Sequence, residues 1–515
     1  MSQIQLALLL IAIVIVLTAI SRRLGASTPI VMVVGGLALT FAPGIPQVTL
    51  APELVFFGFL PPLLFAGGYF TSLREFKANL RPIVLLAVGL VLFTATLVAL
   101  VAHALVPGLG WAGAFALGGI VSPPDAVAAT TIFQRLGVPR RIVTILEGES
   151  LVNDATALVI YRFAVAAVAA GVFSLLDASL AFVWALAGGV FVGMAIGWLI
   201  DKVAENVADV AIFTAIGLVA PYAAYLPAES IGVSGVLATV VAGVWSRHAM
   251  RHASSDARVV GAGVWQIWLF LLNGIVFALL GLQLPEVVRN VHLGGDTITA
   301  TVAIVAAVVF GRFVWVFPFT YGPRLIPAIG RSDPNPPWQA VTVVAWSGLR
   351  GVVSLAAALA LPESFPQRDL ILFVTFVVIL ATLVGQGLTL PAMIRMLGVA
   401  ADGDVGHAES HARVLTAEAA LARLDELATE RPGHVPLIDT LRSQYQHRTS
   451  HADLHDNAEP GAAETELLEH TQIRREAIEA ERRAAFDLHE RGVIDDEVLR
   501  RIERDLDLEE LRTEG

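Results

Sequence analysis

The run Gly148-Glu149-Ser150-Leu151-Val152-Asn153-Asp154 sets two carboxylates and a carboxamide inside an apolar stretch, residues 141–170, that is long enough to cross a lipid bilayer. An ionisable side chain at the centre of a membrane helix costs about 2.5–3.5 kcal/mol on insertion scales, so charges kept at that depth are expected to face a cavity and to have partners. One helical turn separates Ser150 from Asp154 and Glu149 from Asn153, giving two adjacent polar stripes. The stripe with Asp154 offers a carboxylate and a hydroxyl, hard oxygen ligands suited to a small monovalent cation. The stripe with Glu149 offers an anion to a neighbouring arginine.

Around this run, apolar stretches recur thirteen times, at approximately 4–20, 28–43, 52–70, 80–105, 110–132, 141–170, 178–200, 208–226, 230–247, 262–282, 296–320, 338–361 and 370–396. An all-α polytopic membrane protein with about 13 transmembrane helices is expected. Basic residues sort by side: fifteen lie in the linkers reached after odd-numbered spans, against two, Arg289 and Arg368, in the others. Cytoplasmic loops collect Lys and Arg, which puts the N-terminus outside a cell inner membrane and the C-terminal tail in the cytoplasm. The first run, Ile4 to Ile20, has no basic residue before it and Arg22 and Arg23 after it, the reverse of a cleaved signal peptide, so it reads as a retained span.

Composition supports the same class, since 56% of the 515 residues are apolar and 15% charged. Charge divides the chain: residues 1–400 carry 20 Lys and Arg against 17 Asp and Glu, whereas residues 401–515 carry 14 against 28. Two domains follow, a transmembrane domain at 1–398 and an acidic, mostly helical cytoplasmic tail at 399–515. The tail's sign disfavours nucleic acid and anionic headgroups as partners. With no cysteine in the chain, disulfides, thiol catalysis and thiolate metal sites are excluded. In the tail, helices are expected at His407–Glu430, on to about Tyr445 after a break at Arg431-Pro432-Gly433, then at Ala462–Arg491 and Asp495–Leu511, with a disordered link at His447–Pro460. His447, His451 and His455 are spaced for one helical face, as a proton sensor or metal site would be. A solvated linker is the favoured reading.

Counted at about 1.5 Å per residue, Asp125, Asp154, Arg312 and Arg350 all reach the bilayer midplane, from four different spans. A permanently charged arginine cannot shuttle protons. Glu149, Arg312 and Arg350 therefore read as structural ion pairs, and Asp154 as the working group. The fifth span is interrupted by Ser122-Pro123-Pro124-Asp125, where two prolines remove two backbone donors and break the helix. The twelfth carries a matching interruption, Ser347-Gly348-Leu349-Arg350-Gly351. Read as two inverted six-helix repeats, spans 1–6 and 8–13, the chain has its broken helices, 5 and 12, at the fifth position of each. Corresponding interruptions in two halves point to a transporter's substrate site.

At these residues the chain resembles the monovalent cation:proton antiporter-1 family, the sodium/hydrogen exchangers, and particularly the bacterial members, over roughly residues 1–398. GESLVND at 148–154 is similar to the family's most specific motif, and the resemblance implies that Asp154 is the carboxylate where cation and proton compete, with Asn153 and Ser150 beside it. Phe310-Gly311-Arg312 resembles the family's buried arginine in the eleventh span, implying an ion pair with Glu149. SGLRGVVS at 347–354 looks like the broken twelfth helix, with Arg350 balancing the dipole ends. Two positions depart from the pattern. The family's Thr-Asp-Pro in the fifth span is Pro124-Asp125-Ala126 here, which leaves Ser122 as the hydroxyl nearby, and the acid that some relatives carry in the third span is Ala66. Asn153 stands where some antiporters of this fold have a second acid, so the resemblance implies one cation per proton. It also implies a homodimer, a role in pH homeostasis, and no cofactor beyond the transported Na⁺ and H⁺.

A carboxylate that must be either protonated or cation-bound gives obligatory exchange, and alternating exposure of Asp154 to the two sides completes antiport. A cation channel would need a continuous polar pore rather than isolated polar positions, and an organic-solute symporter would take up sodium only with its solute. No nucleophile, base and oxyanion arrangement suggests an enzyme.

Overall fold

The computed structural model describes residues 3–24, 27–41, 53–170, 175–247, 253–289, 291, 294–327, 331, 333–399, 404–457, 462–491, 493, 498, 499, 502, 503, 506, 509 and 510. They are helical throughout apart from turns and loops. In chain order the helices of eight or more residues up to Leu397 are α1 (Gln3–Leu24), α2 (Thr28–Leu39), α3 (Leu54–Phe70), α4 (Leu80–Leu105), α5 (Trp111–Val121), α6 (Ala126–Leu136), α7 (Arg140–Ala170), α8 (Leu175–Ala204), α9 (Val210–Ser230), α10 (Gly235–Ser246), α11 (Ser255–Leu282), α12 (Gly295–Tyr321), α13 (Trp338–Trp346), α14 (Val352–Leu359) and α15 (Arg368–Leu397).

Among the described residues, nine helical segments are long and apolar enough to cross a membrane, and α2, α3 and α10 are shorter apolar helices. At about 1.5 Å per residue, the 12 residues of α2 or α10 reach about 18 Å, less than the roughly 30 Å of hydrocarbon. The broken pieces α13 and α14 are shorter still, at 9 and 8 residues. A count of thirteen is reached only by adding these to the nine, because an apolar run in sequence can exceed the helix it forms. The expected span ends at 42, 43 and 52 lie outside the described residues.

The helices sort into two bundles that do not follow chain order: α1–α3 pack with α8–α11, and α4–α7 with α12–α15. Within the first bundle α2 crosses α11 and α3 crosses α10, backbone against backbone. A Cβ at Gly281 would lie 2.2 Å from the Val33 carbonyl oxygen, and one at Gly243 would lie 2.3 Å from that of Phe65. Lipid offers no hydrophobic drive between helices, so such close approach supplies the packing. In a pair of inverted repeats, α2 corresponds to α10 and α3 to α11, which makes these two crossings equivalent. Between the bundles, α7 lies against α3, α8 and α10.

Met1–Ala400 and Ala401–Gly515 form separate compact units. In the second, α16 (Asp404–Glu430) turns at Pro432–His434 into α17 (Val435–Asn457), the two packing along each other, and α18 (Ala462–Glu490) follows. The expected end of the second tail helix near Tyr445 and the link at His447–Pro460 need correcting, because α17 runs on to Asn457. The reason is local: no Gly or Pro occurs between Tyr445 and Asn457, and polar side chains tolerate a helix. Residues 458–461 and the side chains of His447, His451 and His455 lie outside the description, as does most of Asp495–Leu511.

Candidate functional site

The site is built where the two broken helices cross. In the first, α5 stops at Val121, and Asp125 caps α6 by accepting from the Val127 N–H at 2.8 Å. In the second, α13 stops at Trp346 and α14 starts at Val352. The breaks touch directly, the Asp125 N–H donating to the Leu349 carbonyl at 2.6 Å. Arg350, 1% exposed, reaches across and donates to the carbonyls of Val121 (3.0 Å) and Ser122 (3.3 Å) and also to that of Gly348. Its own N–H is held by Thr382 Oγ1 at 3.0 Å. A cation thus neutralises the carbonyl end of α5, where the helix dipole is negative.

The matching anion is Asp125. Its carboxylate sits at the N-terminus of α6 and also against Gly351, the residue before α14, where an added Cβ would fall 1.9 Å from Oδ2. One acid therefore serves two helix N-termini, where negative charge is favoured.

α7 docks onto this crossing through the stripe read from its sequence. Asn153, fully buried, donates from Nδ2 to the Pro124 carbonyl at 2.7 Å, occupying an acceptor that the break exposes, while its Oδ1 is buried with no partner among the described residues. Ser150 Oγ lies 3.5 Å from the Ala126 N–H. Asp154, 8% exposed, accepts no hydrogen bond from any described residue. Five residues earlier, Glu149 is held by Arg312 in a two-pronged pair of 2.6 and 2.7 Å, each side chain 1% exposed, and Arg312 Nε donates to the Val344 carbonyl at 3.1 Å.

Asp154, Asn153, Ser150, Asp125 and Ser122 thus lie on two elements in contact, and Glu149 pairs with Arg312 as the sequence suggested. Arg350 does not join an ion pair: among the described residues its guanidinium meets carbonyls only, because it stands in the break between α13 and α14 that crosses the end of α5. Ser122 is also differently employed, its hydroxyl donating to the Gly119 carbonyl at 3.1 Å inside its own helix. Sequence reasoning missed Thr382, a hydroxyl in an apolar run with no distinguishing pattern, and the Pro124 carbonyl, which the double proline could have signalled. It also missed the role of Gly351, although the glycine stands in the quoted motif.

A family model described as "Sodium/hydrogen exchanger, transmembrane" matches residues 8–396. The chain belongs to that family. It is a multi-pass membrane protein of the secondary-antiporter class and not an enzyme. Among relatives of this exchanger, one described as an uncharacterised Na⁺/H⁺ exchanger of Mycobacterium tuberculosis is 34% identical, over 98% of this chain and 95% of the relative. A sodium, potassium, lithium and rubidium/H⁺ antiporter of Bacillus subtilis is 34% identical over 75% of this chain and 61% of that protein. The sodium proton antiporter MjNhaP1 of Methanocaldococcus jannaschii superposes with a TM-score of 0.60 over 76% of the exchanger and 97% of its own chain, at 17% identity, and shares the fold.

Proposed function

We propose that this protein exchanges Na⁺ for H⁺ across the cytoplasmic membrane, with both ions competing for Asp154. The observation that carries the reading is a carboxylate that is buried at the crossing of two broken helices and accepts no hydrogen bond from a described residue. Glu149 is paired with Arg312, Arg350 is held by the carbonyls at the end of α5, and Asp125 accepts from the Val127 N–H at the start of α6. Asp154 is the exception, and an unmatched acid in a low-dielectric site must take up a proton or a cation. Ser150 Oγ, one turn away on α7, and the unpartnered Oδ1 of the adjoining residue Asn153 are the neutral oxygens this helix offers, a hard donor set fitting Na⁺ or Li⁺, with K⁺ a further candidate. The likeness to the Bacillus antiporter supports a broad monovalent cation range. Asn153 is neutral, so one cation moves per proton and exchange is electroneutral.

Alternating access moves the bundle of α4–α7 and α12–α15, which holds the whole site, against the other bundle. The N-terminus is outside, the tail of 399–515 is cytoplasmic, and the protein works as a homodimer without a resident cofactor. The test uses proteoliposomes holding a pH-sensitive dye, challenged with Na⁺, Li⁺ and K⁺ in turn. Wild-type protein dequenches the dye and Asp154→Asn does not; full exchange by Asp154→Asn removes the central assignment.

A further inference from the structure

We propose that Arg162 and Glu229 form the outer gate of the exchange pathway, an ion pair that latches the helix carrying Asp154 to the opposite bundle. The proposal rests on the exchanger reading and orientation given above and goes on to name the contact that must break for the site to face outward.

Arg162 lies on α7, eight residues beyond Asp154, so about 12 Å separates them along the axis. Its Nη2 donates to Glu229 Oε2 at 2.5 Å. Glu229 belongs to the other bundle and is fastened there: its Oε1 accepts from the Gly235 N–H at 3.0 Å, at the start of α10. The neighbouring Ser234 N–H donates to the Ala185 carbonyl of α8 at 3.1 Å. The acid is thus tied to α9 and α10, while its partner rides on the site helix.

Beneath the pair lies an aromatic plug. Tyr225, 1% exposed, is within electrostatic reach of both charges and meets Phe57 of α3 edge-on at 5.9 Å. Tyr161, on α7 beside Arg162, is buried as well, and Tyr222 of α9 donates to the Gly58 carbonyl of α3 at 2.9 Å. The packing is tight, since a Cβ at Gly235 would meet Glu229 Cγ at 2.8 Å and Tyr225 Cδ2 at 3.0 Å.

Burial around the site runs the same way. From Asn153 to Val159, toward the pair, every residue of α7 is buried, as is every residue of 116–124 on the broken helix that enters from that side. Toward the cytoplasm Ser150, Val152 and Asp125–Val127 are partly exposed. Asp154 in this conformation is closed to the outside, and the Arg162–Glu229 pair bridges the two bundles above it. Since antiport requires Asp154 to reach both sides, this contact must open once per cycle. With the Arg162 side chain 47% exposed, the pair is weak enough to open readily.

The chain has no cysteine, so one introduced thiol reports without background. Leu158 is one turn from Asp154 and one from Arg162, on the same stripe of α7, and is buried. In intact cells, Leu158→Cys is exposed to a membrane-impermeant methanethiosulfonate added outside. Slow labelling is expected. Adding Glu229→Gln or Arg162→Gln should raise the rate about fivefold, the equivalent of about 1 kcal/mol for a pair of this exposure. Arg162→Lys, which keeps the positive charge and leaves Glu229 on the Gly235 N–H, should stay close to the slow value, which a merely structural defect of Arg162→Gln would not predict. Unchanged labelling in folded Gln variants, or Arg162→Lys labelling as fast as they do, overturns the gate. Labelling needs no transport assay, so this outcome is independent of whether Asp154→Asn abolishes exchange.

Discussion

Glu149 and Asp154 stand five residues apart on one helix, both buried, yet their surroundings are opposite. Both oxygens of Glu149 are taken by Arg312 at 2.6 and 2.7 Å, whereas Asp154 receives no hydrogen bond from a described residue. A carboxylate closed by a guanidinium has no vacancy for an ion and holds helices together. One left open in the same low-dielectric surroundings is poised to be neutralised by whichever cation arrives. On the exchange reading proposed above, function and structure are divided between the two acids by their partners, not by their depth.

The sharpest way to break that comparison is to neutralise each acid in turn. Asp154→Asn should lower sodium-driven proton flux in vesicles at least about 100-fold, while folding yield and thermal stability stay near wild type, since no bond to that side chain is lost. Glu149→Gln should do the reverse. Removing one partner of a buried pair leaves Arg312 uncompensated, a cost of about 3–5 kcal/mol, read as collapsed yield and a lowered melting temperature in detergent. Replacing both partners, Glu149→Leu with Arg312→Met, should recover part of that stability because the orphaned charge goes with its partner. If Glu149→Gln instead folds normally and changes ion preference, the two acids are not divided as argued.

A smaller change probes the crossing from the side of Asp125. Gly351→Ala would set a Cβ 1.9 Å from Asp125 Oδ2, inside any permitted contact, so the carboxylate must leave the start of α14. Losing one acid at a helix N-terminus costs about 0.3–1 kcal/mol in exposed settings and up to about 2 kcal/mol when partly buried. The expected outcome is a folded protein with exchange reduced severalfold, measured by the same dye assay. Undiminished exchange would mean that Asp125 does not need that position.

Much of this was legible in the sequence because the bilayer makes charge conspicuous. Asp154, Glu149 and Arg312 stand out in apolar runs, and the prolines at 123 and 124 announce a break that the structure contains. Less legible was anything that depends on which helix lies opposite. Arg350 is as conspicuous as Arg312, yet it faces carbonyls at the end of α5 instead of a carboxylate, and only the crossing of the two broken helices decides that. Thr382 and Gly351 are ordinary residues whose roles arise from contact across long sequence separations. The Arg162–Glu229 pair was hidden for a different reason: a charge near a helix end usually reaches toward water, and Arg162 by itself reads that way. The tail was misjudged at His447–Asn457 because polarity was taken for disorder where no helix breaker stands.

The least disruptive test concerns a charge outside the spans, and it extends the contrast to a paired acid at the surface. Asp333, in the loop before α13, accepts from Arg141 at 2.6 Å and from Arg324 at 2.5 Å. Partial burial acts to raise its pKa, but the bond and charge of Arg141, with Arg324 and Arg81 nearby, outweigh it and hold the carboxyl below the ordinary aspartate value. A lowered folded-state pKa means that the stabilisation is fully present above about pH 4, the unfolded value, and is lost as pH falls through the folded one. Asp333→Asn should therefore lower the melting temperature slightly at pH 7, and the difference from wild type should shrink as pH falls below about 4. Exchange through Asp154 should be little changed at neutral pH, since Arg141, the helix residue that Asp333 holds, is thirteen residues, or about 20 Å, from Asp154 along α7. A melting-temperature difference that persists unchanged into acid would show that the carboxylate's charge contributes nothing there and that its shape alone matters.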